Sequence, residues 1–157
     1  MLDAEQKMKL LISDRPWEHE PDNEEWVHEL TGYKCTVWRH PTFGHLNGYV
    51  AIPRGHKMHG KGYDDVPLEV GVHGGLTYSD LDKDTDEWVF GFDCGHGGDI
   101  SPKLLANMMT YAEDYAPELV EYRLREEKYR TFEWVKAEVH SLARQLKMLD
   151  MKQGEVK

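Results

Sequence analysis

Cysteine is scarce: Cys35 and Cys94 are the only two in 157 residues. Two thiols so far apart in sequence exclude a disulfide framework. Long apolar runs are missing as well, and none approaches the roughly 20 residues needed to cross a bilayer. Basic residues are outnumbered, 19 Lys and Arg against 29 Asp and Glu, for a formal net charge of −10. That balance excludes broad electrostatic attraction to nucleic acid or to an anionic membrane, while leaving room for a local basic pocket. The opening Met1-Leu-Asp-Ala-Glu-Gln-Lys7 has neither the basic nor the apolar region of a signal peptide. The expectation is a cytoplasmic protein with reduced thiols, no membrane partner and no direct nucleic-acid partner.

Several site motifs are also lacking. No glycine loop ends in Gly-Lys-[Ser/Thr], so a P-loop is excluded, and there is no His-Glu-x-x-His. Asp80, Asp82, Asp84 and Asp86 imitate the start of a calcium loop. Counted from Asp80, however, the sixth position is Thr85 and the twelfth is Gly91; counted from Asp82, the sixth is Glu87. A solvated hairpin tip is the better reading.

What is present fits one globular domain over 1–157, with 39% hydrophobic residues to build a core. An amino-terminal helical segment is expected over 1–31, with one helix over 3–12. A second is expected over 24–30, capped by Asp22-Asn23 and acidic in its first turn. Residues 33–99 read as a β-rich core. Strands are expected at Tyr33–Trp38, Leu46–Ile52, Leu68–Val72, Leu76–Ser79 and Trp88–Asp93, and their short connections favour antiparallel pairing. Residues 101–150 read as helical, interrupted at Pro117. There Phe132, Val135, Val139, Leu142, Leu146 and Leu149 alternate spacings of three and four. That is an amphipathic helix packed on the sheet or, alternatively, a heptad seam for a homo-oligomer through 132–149. The predicted class is α+β: a mostly antiparallel central sheet with amino-terminal helices and a long carboxy-terminal amphipathic helix.

The richest stretch for chemistry is Trp88-Val-Phe-Gly-Phe-Asp-Cys-Gly-His-Gly-Gly-Asp99. A β-forming run breaks into glycines that carry Asp93, Cys94, His96 and Asp99, and Ser101-Pro102 then signals a helix start. Imidazole and carboxylate together suit a divalent metal such as zinc or manganese, with His73, Asp93, His96 and Asp99 as ligands. Against this, aspartates in glycine turns often accept backbone N–H groups and touch no ligand. Successive N–H groups in the glycine turns also form an anion nest, to which the following helix start adds partial positive charge. The loop 53–62 carries Arg54, His56, Lys57, His59 and Lys61, which reach such a site if it folds over. Cys94 two residues from His96 suggests a nucleophile and base, but the strand breaks at Gly95 and a structural thiol is the better reading. Among the aromatics, Trp88 and Trp134 are assigned to packing, while Tyr49, Tyr63 and Tyr78 are freer to face a flat ligand. The expected ligand-binding set is His56, His73, Tyr78, Asp93, His96, Asp99, Arg54 and Lys61, on loops that converge at one end of the sheet.

Four phrases carry a resemblance: Gly55-His56 with Gly60-Lys-Gly-Tyr-Asp-Asp65, Val72-His-Gly-Gly-Leu-Thr-Tyr-Ser79, Phe90-Gly-Phe-Asp-Cys-Gly-His-Gly-Gly-Asp99, and Tyr129-Arg-Thr-Phe-Glu-Trp-Val-Lys-Ala-Glu-Val139. Over roughly 45–147 the chain resembles a family of small phage and prophage proteins. The resemblance implies a viral accessory protein acting inside a bacterial host cell, and it brings no assigned activity. The expected function is binding of a small polar ligand, such as a nucleotide signal sequestered in counter-defence. Two alternatives stand beside it. One is a metal-dependent hydrolase acting on a phosphoester or related substrate, and the other is a host-protein inhibitor using the acidic surface or the last helix.

Overall fold

The computed structural model describes residues 15–112 and 117–152. Five strands, β1 (Asn23–Val27), β2 (Lys34–Arg39), β3 (Leu46–Ile52), β4 (Tyr78–Leu81) and β5 (Trp88–Asp93), precede three helices, α1 (Pro102–Ala112), α2 (Pro117–Glu126) and α3 (Phe132–Met151). The strands form one sheet in the order β1-β2-β3-β5-β4, with every pairing antiparallel. The class is α+β. The helix expected over 3–12 lies outside the described residues.

Alternation decides which face of the sheet is covered. Cys35 and Val37 of β2, Val50 and Ile52 of β3, and Phe90 and Phe92 of β5 are buried on the face that meets α3. From α3 come Phe132, Val135, Val139, Leu142, Ala143 and Leu146, all at 2% exposure or less. Each such Val, Leu or Phe contributes roughly 1.5–3 kcal/mol by leaving water. Gly48 sets the closest approach, since a Cβ there would lie 2.5 Å from Val139 Cγ2 and 2.6 Å from the Phe92 ring. The spacing of three and four therefore serves helix-on-sheet packing. The heptad residues Phe132, Val135, Val139, Leu142 and Leu146 are thus covered by the sheet of the same chain, with Leu149 packed against that core.

Two other expectations change. Residues 23–27 form an edge strand and not the start of a helix over 24–30. Glu24, Trp26 and His28 alternate toward α3, where Lys136 pairs with Glu24 at 2.8 Å and covers the Trp26 ring at 4.9 Å, and His140 lies 5.0 Å from His28. Pairing with β2, Trp26 opposite Cys35, satisfies a backbone edge that a helix would have left open. Leu68–Val72 is not a strand, because Pro67 and Gly71 break it into turns. It is held instead by α3: Gln145 accepts from Gly71 N–H at 2.7 Å and donates to Gly71 O at 2.8 Å. The expected Leu76–Ser79 strand forms as β4, two residues later, and its hairpin to β5 turns through the acidic residues 82–87.

The segment leading into α3 is fastened to the sheet. Glu20 accepts from Phe132 N–H at 2.8 Å and from the Tyr129 hydroxyl at 2.5 Å, while Arg39, almost fully buried, donates to Asp22 and to Gly44 O at 2.9 Å each. Thr131 caps α3 by accepting from Trp134 N–H at 3.2 Å. This anchoring fixes Arg130 and Trp134 relative to the end of β5.

Candidate metal centre

β5 ends at Asp93, opposite Asn47 at the start of β3. Cys94 continues the pairing by donating its N–H to Leu46 O at 3.0 Å, and its side chain is buried. Burial, then Asp99 and Asp93, push the Cys94 thiol well above its usual range, and burial pushes Cys35 up to about 12. Neither is a nucleophile near neutral pH.

The chain then turns. Asp99 N–H donates to His96 O at 3.0 Å, and Gly98 adopts φ +94°, a conformation few other residues tolerate. Past the turn, Lys128 N–H donates to Gly98 O at 2.9 Å and Ile100 N–H to Lys128 O at 2.8 Å, which ties the loop to the link before α3. Asp99 is thereby buried, its side chain only 1% exposed, and it is surrounded by donors. Arg130 Nε donates to Oδ1 at 3.0 Å, and His96 N–H donates to Oδ2 at 3.2 Å. His73 Nε2 lies 3.0 and 2.8 Å from the two oxygens.

His73 arrives from the other side. Glu138 of α3 accepts its N–H at 2.9 Å, and the ring stands edge-on to Trp134, with centroids 5.1 Å apart. Arg130 stacks over the same indole at 4.8 Å. Gly74, at φ +71°, lies flat against the His96 ring: a Cβ there would fall 2.5 Å from His96 Cε1. His96 Nδ1 is 3.9 Å from Asp99 Oδ2 and 3.5 Å from Asp93 Oδ1. That nitrogen is buried and has no hydrogen-bond partner among the described residues.

His73, His96 and Asp99 thus each present a donor atom, all within 4.8 Å of one another. A bound zinc-class ion at ~2.1 Å from each donor requires donors about 3–3.5 Å apart, closer together than the 4.8 Å that bounds this trio. The donor set itself, two imidazoles and one carboxylate, suits zinc, manganese or ferrous iron.

Asp93 stands beside this trio and is not one of it. Its Oδ1 accepts from Gly95 N–H at 2.9 Å and its Oδ2 from the Thr77 hydroxyl at 3.1 Å, so it braces the glycine turn. The expected convergence with loop 53–62 does not occur. β3 runs from the Asp93 end of β5 to the Trp88 end, so Arg54, His56 and Lys61 emerge at the far end of the sheet. Arg54 pairs with Asp86 there, and Lys61 O accepts from Trp88 Nε1 at 2.8 Å. His56 is buried, with Nδ1 accepting from Met58 N–H at 3.0 Å and Nε2 lying 2.8 Å from Leu146 O. It is a structural histidine. Tyr78 lies opposite Gly91 and against Tyr49 at 5.5 Å, on the sheet face away from α3. The amino terminus of α1, expected to add positive charge beside the glycine nest, is already used: the N–H groups of Lys103 and Leu104 donate to Phe43 O at 2.9 and 3.3 Å.

Arg130 and Glu138 are additions that sequence reasoning did not single out, and Trp134, assigned there to packing, is 36% exposed and forms a wall of the site. The available signal was an Arg and a Trp four residues apart across a Thr cap. Beside the trio a cleft of about 140 Å³ opens toward α1 and α2, lined in part by His96, Asp99, Ser101, Leu105, Arg123 and Glu127. No helix among the described residues is long and apolar enough to cross a membrane. Compared with protein-family models, curated proteins and solved structures, the chain matches none.

Proposed function

We propose that the protein binds one divalent metal ion through His73, His96 and Asp99 and uses it for hydrolysis of a small polar substrate. The observation that carries this reading is the gathering of three donor atoms within 4.8 Å around a buried His96 nitrogen that no described residue satisfies. Three protein ligands leave a coordination position open, as catalytic sites require, and such an ion brings the pKa of bound water down to about 7. The surroundings hold the ligands still. Arg130 fixes one oxygen of Asp99, Glu138 anchors the His73 backbone, and Trp134 backs the His73 ring. With an ion bound, His73, His96 and Asp99 would hold it, and the His73–Asp99 contact would be replaced by shared coordination. The His96 side chain, 34% exposed, leaves the site open to a substrate.

The test is metal content after chelation and reloading, together with turnover on a panel of phosphoesters, for the wild type, His96→Ala and Asp99→Asn. Retained metal and turnover in either variant would remove the reading.

A second reading has its own support. Asp99 is already matched by His73, Arg130 and the His96 N–H, an arrangement that stands as an ion-pair network with no ion. The same loop then serves a non-catalytic phage accessory protein that holds a nucleotide signal in the bacterial host. Thermal shift of chelator-treated protein with cyclic and linear nucleotides tests it, and a flat response across the panel counts against it.

A further inference from the structure

The cleft beside the trio shares His96 and Asp99 with it, so anything seated there lies against the proposed ion. Its size is restrictive. At about 140 Å³ it is well below the ~300 Å³ at which pockets for drug-sized ligands begin. That suits a compact headgroup more than a nucleoside. Its far wall, on and just beyond α2, carries Arg123 and Glu127. The Arg123 guanidinium is loosely held among the described residues: Nε is 3.9 Å from Glu127 Oε1, beyond hydrogen-bond range, and a terminal nitrogen donates to the Met108 sulfur at 3.3 Å, a weak acceptor. A guanidinium has five N–H donors in a planar fork that matches phosphate oxygens two at a time.

The charges point the same way. Without an ion, Arg123 and Arg130 balance Glu127 and Asp99; a divalent ion makes the cleft positive overall. The α1 amino terminus cannot take the anion's place, because Phe43 O already occupies its first N–H groups. We infer that this cleft takes the phosphoryl group of a compact phosphoester, gripped between the ion at His73, His96 and Asp99 and the Arg123 fork. The inference rests on the metal-dependent reading above and names its substrate class. In the reaction the oxygen of a water forms the new P–O bond, the bond to the leaving oxygen breaks, and the proton lost by the water ends on that leaving oxygen. Arg123 binds substrate, and Glu127 limits its grip by competing for the guanidinium.

The experiment titrates zinc-loaded protein with inorganic phosphate by calorimetry, with zinc content measured on the same samples. Wild type should bind phosphate when loaded and not after chelation. Arg123→Met should keep its zinc and bind phosphate at least ~10-fold more weakly, Arg123→Lys should fall between, and Glu127→Gln should bind more tightly. Because Arg123→Met can disturb α2, the Lys and Gln variants give the same test with the cation retained. Phosphate affinity that is equal in wild type, Arg123→Met and Arg123→Lys overturns the inference, as does loaded wild type that ignores phosphate; in both cases the metal reading stands. Wild type that takes up no zinc defeats the metal reading, and this inference with it.

Discussion

At the Ile52 end of β3, His56 and His59 spend ring nitrogens on the main-chain carbonyls of Leu146 and Asp86, each at 2.8 Å. At the Leu46 end, roughly 20 Å away by strand rise, His73 and His96 face a buried carboxylate, and one ring nitrogen has no hydrogen-bond partner among the described residues. Both ends join loops rich in glycine and histidine. They differ in what the tertiary structure offers the imidazole. Beside α3 near its carboxy terminus, the Leu146 carbonyl takes the His56 ring and locks it. At the amino terminus of α3 the cap region instead delivers Arg130, Trp134 and Glu138, which orient Asp99 and His73. A histidine that completes a main-chain hydrogen bond adds to stability; one left facing carboxylates is available for binding.

That contrast predicts opposite phenotypes. His56→Ala empties a ring whose side chain is fully buried and removes its contact with the Leu146 carbonyl. It should lower unfolding free energy in urea by about 2–4 kcal/mol while leaving metal uptake per folded chain unchanged. Loss of metal from a folded His56→Ala protein would break the comparison. At the other end, metal should stabilise the native state by mass action, by ~2.7 kcal/mol at a hundredfold excess over Kd. The increase should appear in thermal melts of wild type and be missing in His96→Ala, whose own stability should change by less than ~1 kcal/mol.

A finer test uses two neighbouring glycines. Gly74 and Gly75 both have positive φ, but a Cβ would meet the His96 ring only at Gly74, and nothing within 4 Å at Gly75. Alanine at either position should cost ~1–2 kcal/mol through backbone strain. Only Gly74→Ala should also weaken metal binding, by displacing the His96 ring, as read by competition with a chromophoric chelator. Equal metal affinity in the two variants would show that the His96 position is not held by Gly74.

The smallest effect concerns a third pair. Burial lowers the pKa of both His28 and His140; His140 and Arg144 add to this at His28, as do Lys136 and Arg144 at His140. Unfolded chains take up these protons near the ordinary value of about 6.5, whereas the folded protein resists them to lower pH. Their contribution to stability is therefore complete above about 6.5 and declines as pH falls through the lowered folded values. Melting temperature should drop between about pH 7.5 and about pH 5.5, and His140→Gln should flatten that slope without touching metal affinity.

Much of the scaffold was legible because its signals are local. β3 and β5 are rich in β-branched and aromatic residues and end where expected, and the spacing of three and four from Phe132 marks α3. Residues 23–27 were misread because an Asn cap followed by two glutamates is also a helix signal, and only the partner strand settles the competition. Leu68–Val72 was apolar enough for a strand but is shaped by Pro67, Gly71 and the Gln145 amide 74 residues away. The site divides in the same manner. Glycine punctuation pointed to His73, His96 and Asp99, whereas Arg130 meets Asp99 across 31 residues and Glu138 meets His73 across 65. Separations of that kind leave no periodicity to read. His56 shows the reverse error: its loop looked like a site, and a single helix carbonyl made it structural.

The most direct test of the account is metal content measured by mass spectrometry on chelated, reloaded and desalted protein, wild type beside Asp99→Asn. Asn keeps the size of the buried side chain and removes its charge. The account predicts close to one zinc or manganese ion per wild-type chain, none in Asp99→Asn, and a folded circular-dichroism signature in both. A wild-type chain that retains no ion, or an Asp99→Asn chain that retains as much, would contradict it.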